Sequence, residues 1–320
     1  MPGSDSAGRD AGGEGETMSK DYELIIIGGG PAGLTAGIYA SRARRRTVLL
    51  EKQGCGGQMA LTWEVENYPG VEKVSGFELG QRMEKQARGF GLEIRIADVQ
   101  SIAADGEGHR LVTSEGDLTC RTLIIASGSR YNRLSVPGES ELTGKGVSYC
   151  ATCDGAFFRD VPVAVVGGGN TALEEALFLT RFASRVYVIH RRDEFRGVKY
   201  IQEKVFASDM IEPVWNTVVE EIEGENAVKG LRLRDVKSGE EKKLAVEGAF
   251  IFVGVTPNTE YLQGYLPTDE KGFLPTGENL ETEVPGVFVA GDVRAKALRQ
   301  IATAVGEGAL AATSADHYLG

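Results

Sequence analysis

Nothing in the chain approaches the ~18 consecutive apolar residues that a membrane-crossing helix needs, so no transmembrane segment is expected. The first twenty residues also lack the apolar run of a signal peptide. Their Gly-, Ser- and acid-rich composition reads as a disordered tail over 1–20, with Met18 as an alternative start. A cytoplasmic location is expected on that basis. Positive charge is in short supply: 35 Lys and Arg stand against 46 Asp and Glu, a net charge of −11. Such a surface repels nucleic-acid phosphates and anionic lipids, so neither nucleic acid nor a membrane is expected as a partner. Metal ligands are sparse as well. Apart from one close pair of cysteines, only Cys55, Cys120, His109, His190 and His317 remain, and they form no second closely spaced pair. A zinc site needs four ligands, so no metal is expected. Cytoplasmic proteins rarely carry structural disulfides, which leaves redox catalysis or metal binding as the uses of the close pair.

What the chain has in excess is glycine, 43 residues with no short repeat, clustered at strand-to-helix turns. That pattern argues for phosphate-cradling loops. The apolar run Tyr22–Ile27 reads as a strand. It enters Gly28-Gly29-Gly30-Pro31-Ala32-Gly33, a small-residue helix follows from Leu34, and Thr47–Leu50 reads as a second strand ending in Glu51. Gly28, Gly30 and Gly33 satisfy G-x-G-x-x-G in the strand–turn–helix context that gives the motif meaning. A pyrophosphate can approach such a backbone and the positive end of the helix, and a carboxylate at Glu51 can accept from both hydroxyls of an adenine ribose. This first site suits FAD or NAD.

The same grammar returns at Val161–Val166, Gly167-Gly168-Gly169-Asn170-Thr171-Ala172, a helix from Leu173 to Ala183 and the strand Val186–Ile189. Gly167, Gly169, Asn170 and Thr171 form this turn. Its second strand ends in His190-Arg191-Arg192-Asp193-Glu194-Phe195-Arg196 rather than in an acid. Arg191, Arg192 and Arg196 are suited to grip a ribose 2′-phosphate, which points to NADPH; a solvated basic turn is the plainer alternative. Two such units define an α/β chain of two Rossmann-like dinucleotide-binding domains, the second inserted into the first. The expected boundaries are 21–131 with 251–320 for the first domain and 132–250 for the second, with crossings near Arg130–Val136 and Val246–Phe250. Between the two glycine turns lies Cys150-Ala151-Thr152-Cys153-Asp154. Thiols at this spacing can close a small ring and exchange, and Asp154 is placed to carry a proton to the outgoing thiolate. Cys55 and Cys120 read as plain thiols, Cys55 beside the Gly56-Gly57-Gln58 loop.

From about Asp21 to Leu319 the chain resembles the low-molecular-weight thioredoxin reductases of bacteria. The resemblance rests on GGGPAG at 28–33, GGQ at 56–58, ENYPG at 66–70, CATCDG at 150–155, GGGNTA at 167–172, HRRDEFR at 190–196, and AGDV with RQ at 290–293 and 299–300. Each is modest alone, but their order and spacing are specific. The resemblance implies reduction of a thioredoxin disulfide by NADPH through FAD, a homodimer, and a domain rotation between half-reactions. It implies Gln58 and Asn67 beside the flavin, Asp292 on the ribityl chain, and Arg299, Gln300 and Ile301 against the isoalloxazine ring at a helix N-terminus, where the helix dipole favours negative charge. It also implies Cys153 toward the flavin and Cys150 toward thioredoxin.

Overall fold

The computed structural model describes residues 20–62 and 65–320; the expected tail falls outside these apart from Lys20. The first unit begins with β1 (Tyr22–Ile27), α1 (Pro31–Arg42) and β2 (Thr47–Glu51), then α2 (Gly76–Gly89), β3 (Glu93–Ile96), β4 (Val99–Asp105), β5 (Gly108–Thr113) and β6 (Gly116–Ile125). The sheet order is β3-β2-β1-β6-β5-β4. The pairs among β3, β2, β1 and β6 are parallel and those of β4, β5 and β6 antiparallel. Leu24 to Ile27 and Val48 to Leu50 are buried throughout, as central parallel strands covered on both faces must be. Turn geometry explains two of the glycines. Gly28 has φ of 108°, where an L side chain is strained, and a Cβ on it would meet Ala126 O at 2.3 Å. Gly33 lets α1 pack down on the turn: a Cβ there would lie 1.8 Å from Gly28 O.

Strand β7 (Ser129–Tyr131) leads out of this unit. The second unit holds β8 (Val147–Ser148), the one-turn helix α3 (Ala151–Asp154), β9 (Pro162–Val166), α4 (Asn170–Leu179), β10 (Arg185–Ile189), α5 (Lys199–Phe206) and β11 (Ile211–Val214). The antiparallel strands β12 (Thr217–Gly224), β13 (Val228–Asp235) and β14 (Glu241–Leu244) follow, then β15 (Gly248–Ile251). A parallel sheet ordered β11-β10-β9-β15-β8 is packed between two apolar layers, one from α3, α4 and α5 and one from β12 and β13. Ile251 pairs with Val166 inside this sheet. A boundary at 250/251 therefore cuts through β15, and the chain leaves the second unit only after it. Periodicity could not show which sheet the run Ala249–Val253 would join, because any buried strand reads as a continuous apolar run.

The return runs through β16 (Val255–Pro257), which pairs antiparallel with β7. The two crossings thus form a two-stranded ribbon, fastened by Asn132 N donating to Gly254 O at 3.0 Å and Thr256 Oγ1 to Asn132 Oδ1 at 2.7 Å. Past the ribbon, the buried carboxylate of Glu139 accepts from Leu134 N, Ser135 N and Tyr149 Oη. Tyr149 in turn stacks on Tyr131 of β7, ring centres 5.4 Å apart. Strand β17 (Val287–Val289) then joins the distal half of β6, and α6 (Ile301–Leu319) closes the first unit. Its small residues face α1 closely: a Cβ on Gly308 would lie 2.2 Å from Ala32 O.

Candidate active site

One cavity of about 1530 Å³ runs from the first glycine turn to the cysteine pair. That exceeds the ~300–1,000 Å³ of ordinary small-molecule sites and suits a full dinucleotide. Gly28, Gly30, Glu51, Gln58, Asn67, Asp292, Arg299, Gln300 and Ile301 line it, as do Cys150, Cys153 and Asp154. Gly33 does not; its part is the close packing of α1 rather than contact with a ligand. A Cβ on Gly30 would meet nothing within 4 Å, so the backbone faces the cavity unobstructed at the helix N-terminus. Glu51 Oε2 accepts from Gly29 N at 2.6 Å and Oε1 from Gln53 N at 3.1 Å. The carboxylate is thereby fixed at the end of β2, with lone pairs left for a ribose. Across the cavity Asp292 Oδ1 is buried and has no hydrogen-bond donor, although Lys296 Nζ lies 3.1 Å away as an ion pair off the hydrogen-bond direction. The rest of the Asp292 side chain is partly exposed on the cavity wall, where a carboxylate can accept from a hydroxyl-bearing chain, so the residues present fit FAD.

Cys150 and Cys153 are joined in a disulfide, Cys150 capping α3 and Cys153 within it. Both are half-buried, and Ala151 between them is fully buried against α4. The side chain of Gln300, just before α6, reaches the pair from the other unit. Its Nε2 is 3.3 Å from Thr152 Oγ1, 3.9 Å from Cys150 Sγ and 4.0 Å from Cys153 Sγ. Asn67 Nδ2 donates to Gln300 Oε1 at 3.1 Å and orients the amide. The disulfide therefore lies at the end of the cavity beside the N-terminus of a 19-residue helix.

Asp154 Oδ2 accepts from Ser148 Oγ at 2.6 Å. Burial raises the Asp154 pKa, and the Ser148 hydrogen bond opposes that only in part. A carboxyl held in this way can donate a proton nearer neutral pH than an exposed one. Glu175 of α4 is a second carboxylate here, with Oε2 buried and unpartnered. Its pKa too is raised by burial, against the N–H groups of Ala151 and Thr152 that it accepts. Burial pushes the Tyr131 hydroxyl up to about 12, followed by the nearby charges of Asp292, Asp154 and Glu175. Cys55, beside the first glycine turn, is half-buried and its thiol is pushed up to about 12, chiefly by burial, which disfavours the reactive thiolate.

The second glycine turn lies elsewhere. No residue of 155–257 lines the cavity that holds the disulfide. A Cβ on Gly169 would meet nothing within 4 Å, so this turn also presents open backbone. The basic loop folds over it: Arg196 N and Gly197 N donate to Gly168 O at 2.7 and 3.1 Å, and Val198 N to Asn170 Oδ1 at 2.8 Å. Phe195 is buried against Trp215, ring centres 4.3 Å apart, while Arg191, Arg192 and Arg196 stay exposed. None of the three makes an ion pair among the described residues, whereas Asp193 is taken by Lys237 at 2.7 Å. The open turn and three uncommitted guanidinium groups fit a 2′-phosphorylated nucleotide. His190 is an anchor, its ring beneath Gly168; burial lowers its pKa, and Arg196, Arg192 and Arg191 add to the shift.

Sequence reasoning missed Ser148, Thr152, Glu175, Tyr131 and Lys296. Single polar or charged residues in ordinary strands, helices and loops carry no spacing signal. Only Thr152 and Ser148 stood close enough to the cysteines to invite attention.

A disulfide facing a dinucleotide-sized cleft, with a separate nucleotide turn on an inserted unit, defines a dinucleotide-dependent disulfide oxidoreductase. The pyridine nucleotide-disulphide oxidoreductase family matches residues 22–308. The thioredoxin reductase of Bacillus subtilis is 45% identical over 302 residues, covering 94% of this chain and 95% of that protein. That of Listeria monocytogenes is 45% identical, with 94% of each covered. The chain belongs to the thioredoxin reductases of this family. Among solved structures, thioredoxin reductase from Streptococcus pyogenes is 44% identical, covers 93% and 98% of the two chains and superposes with a TM-score of 0.90. The Lactococcus lactis enzyme in its FR conformation is 42% identical over 93% and 99%, yet its TM-score is 0.64. Nearly equal identity with such unequal overlap is what a different domain orientation produces.

Proposed function

We propose that this chain reduces the disulfide of thioredoxin with electrons from NADPH, by way of bound FAD and the Cys150–Cys153 pair. The observation that carries the reading is the disulfide lying on the wall of the large cavity, beside Gln300 and the start of α6. FAD, when bound, supplies the two-electron relay between nicotinamide and sulfur that no side chain here can offer. Gly28, Gly30 and Glu51 would hold its adenosine end, Asp292 its ribityl chain, and Gln58, Asn67, Arg299, Gln300 and Ile301 its ring. Gly167, Gly169, Asn170 and Thr171 would hold the pyrophosphate of NADPH, with Arg191, Arg192 and Arg196 on its 2′-phosphate.

Two electrons and two protons, one delivered as part of the NADPH hydride equivalent and one from solvent, convert the Cys150–Cys153 disulfide to two thiols. The reading assigns Cys153 to the flavin side and Cys150 to attack on thioredoxin. Breaking the thioredoxin disulfide releases one thiolate, which Asp154 protonates, and re-closing of Cys150–Cys153 completes the exchange. The Gln300 amide, oriented by Asn67, stabilises charge on whichever sulfur is released.

In the present arrangement the cysteines face the cavity and the second glycine turn does not, so both half-reactions cannot proceed without movement. We place the hinge at the β7–β16 ribbon, with the units extending over 21–131 and about 255–320, and over 132 to about 252. A cytoplasmic homodimer completes the reading. The test is direct. Purified protein should be yellow, bleach on anaerobic addition of NADPH and recover colour with oxidised thioredoxin. Colourless protein that takes up no FAD, or bleached protein that thioredoxin does not reoxidise, overturns the assignment.

A further inference from the structure

The loop between β17 and α6 carries a charged cluster that lies behind the cavity wall. Lys296 is nearly inaccessible, its side chain 5% exposed, yet it carries an ammonium. That ammonium lies 3.1 Å from Asp292 Oδ1 and 3.2 Å from Glu307 Oε2 of α6. Glu307 Oε2 also accepts from Gly291 N at 2.7 Å, and its Oε1 lies 3.7 Å from Arg294. One helix carboxylate thus holds the backbone immediately before Asp292 and the cation immediately behind it. Arg299 braces the same loop from the other side, donating to the carbonyls of Asp292, Arg294 and Lys296 and stacking on Phe273 at 4.1 Å.

We propose that Lys296, anchored by Glu307, is a positioning residue that holds the Asp292 carboxylate toward the cavity and thereby sets the affinity for FAD. This rests on the reading of the cavity given above. A buried lysine is costly unless it is paired, and here Lys296 and Glu307 lie behind the wall while only Asp292 reaches the cavity. Without the ammonium, Arg294 still balances Glu307, but Asp292 loses the only cation within ion-pair distance among the described residues. Its carboxylate is then free to turn away from the line on which it accepts a hydroxyl. A brace serving only to join the loop to α6 would need no cation against Asp292, since Glu307 already binds Gly291 N and Arg294.

The test measures FAD dissociation constants on apoprotein by the change in flavin fluorescence, with apoprotein melting followed alongside. Lys296→Met keeps an unbranched side chain of similar length and should weaken FAD binding at least tenfold (~1.4 kcal/mol). Lys296→Arg should stay within about threefold of wild type. Combined with Asp292→Asn, Lys296→Met should add little, because the two changes remove one interaction. Glu307→Gln, a milder change if Lys296→Met does not fold, should give a smaller loss in the same direction. NADPH binding to the second unit should be unaltered in each. Two results would each overturn the proposal: Lys296→Met binding FAD within threefold of wild type, or its loss adding in full to that of Asp292→Asn. If the wild-type apoprotein itself takes up no FAD, the cavity reading fails, and the clamp with it.

Discussion

Replacing Arg191 and Arg192 together with alanine removes two exposed guanidinium groups from the loop above the second glycine turn. Neither is spent on an ion pair among the described residues, so the folded chain should lose little stability, and the backbone bonds of Arg196, Gly197 and Val198 to the turn stay in place. The effect therefore falls on the ligand. At ~4 Å a charge pair is worth ~1 kcal/mol in water and ~4 at a protein surface of intermediate dielectric. Full exposure puts these arginines near the lower figure, about 1–1.5 kcal/mol each. The pair should then raise the Michaelis constant for NADPH by about 30- to 150-fold. NADH has no 2′-phosphate, and its constant should move less than about threefold. Stopped-flow bleaching of the flavin by each nucleotide measures both, and repeating it in higher salt should shrink the difference for wild type far more than for the variant. Equal losses for the two nucleotides would refute the phosphate clamp and leave the basic loop as a solvated turn.

Cys150→Ser should still bleach with NADPH but should not turn over thioredoxin; persistent turnover would refute the thiol route. Asp154→Asn should slow thioredoxin reduction by about a hundredfold, within the usual range for losing a general acid. The same change should alter a pH series. A carboxyl whose folded pKa is raised costs the protein stability as pH climbs from the unfolded value, near 3.9, through the folded one. Asn removes that cost, so its melting temperature should gain on wild type with rising pH; a constant offset from pH 4 to 7 would refute the burial argument. Gln300→Leu, which severs the contact with Thr152, should slow electron transfer to the disulfide by about tenfold and favour the alternative domain orientation. Unchanged single-turnover rates would remove Gln300 from the mechanism.

The parts of this molecule legible in its sequence are those where backbone geometry restricts residue type. Gly28 needs a positive φ, Gly33 needs close packing, and Leu24–Ile27 needs apolar side chains on both faces, so each leaves a local mark. The antiparallel strands β4 and β5 and helix α2 left weaker marks, because one face of each meets solvent and their patterns are those of many surface elements. Assignment of β15 to the second sheet depended on pairing with Val166, a contact 85 residues away in sequence. The charged network fared worst. Lys296 and Glu307 are common residue types in a loop and a helix, and only the fold brings an ammonium between two carboxylates.

The ribbon formed by β7 and β16 has a consequence for electron economy. Two strands hydrogen-bonded side by side can bend and twist together, but neither can slide past the other without breaking the pairs from Val255–Tyr131 to Pro257–Ser129. The proposed movement of the inserted unit would therefore turn about this ribbon rather than shear along it. With the disulfide on the cavity wall the nucleotide turn is excluded from it, and the proposed movement would exchange the two. Reducing equivalents would then enter and leave in alternation, and a bound flavin would be shielded from the donor while sulfur is being reduced.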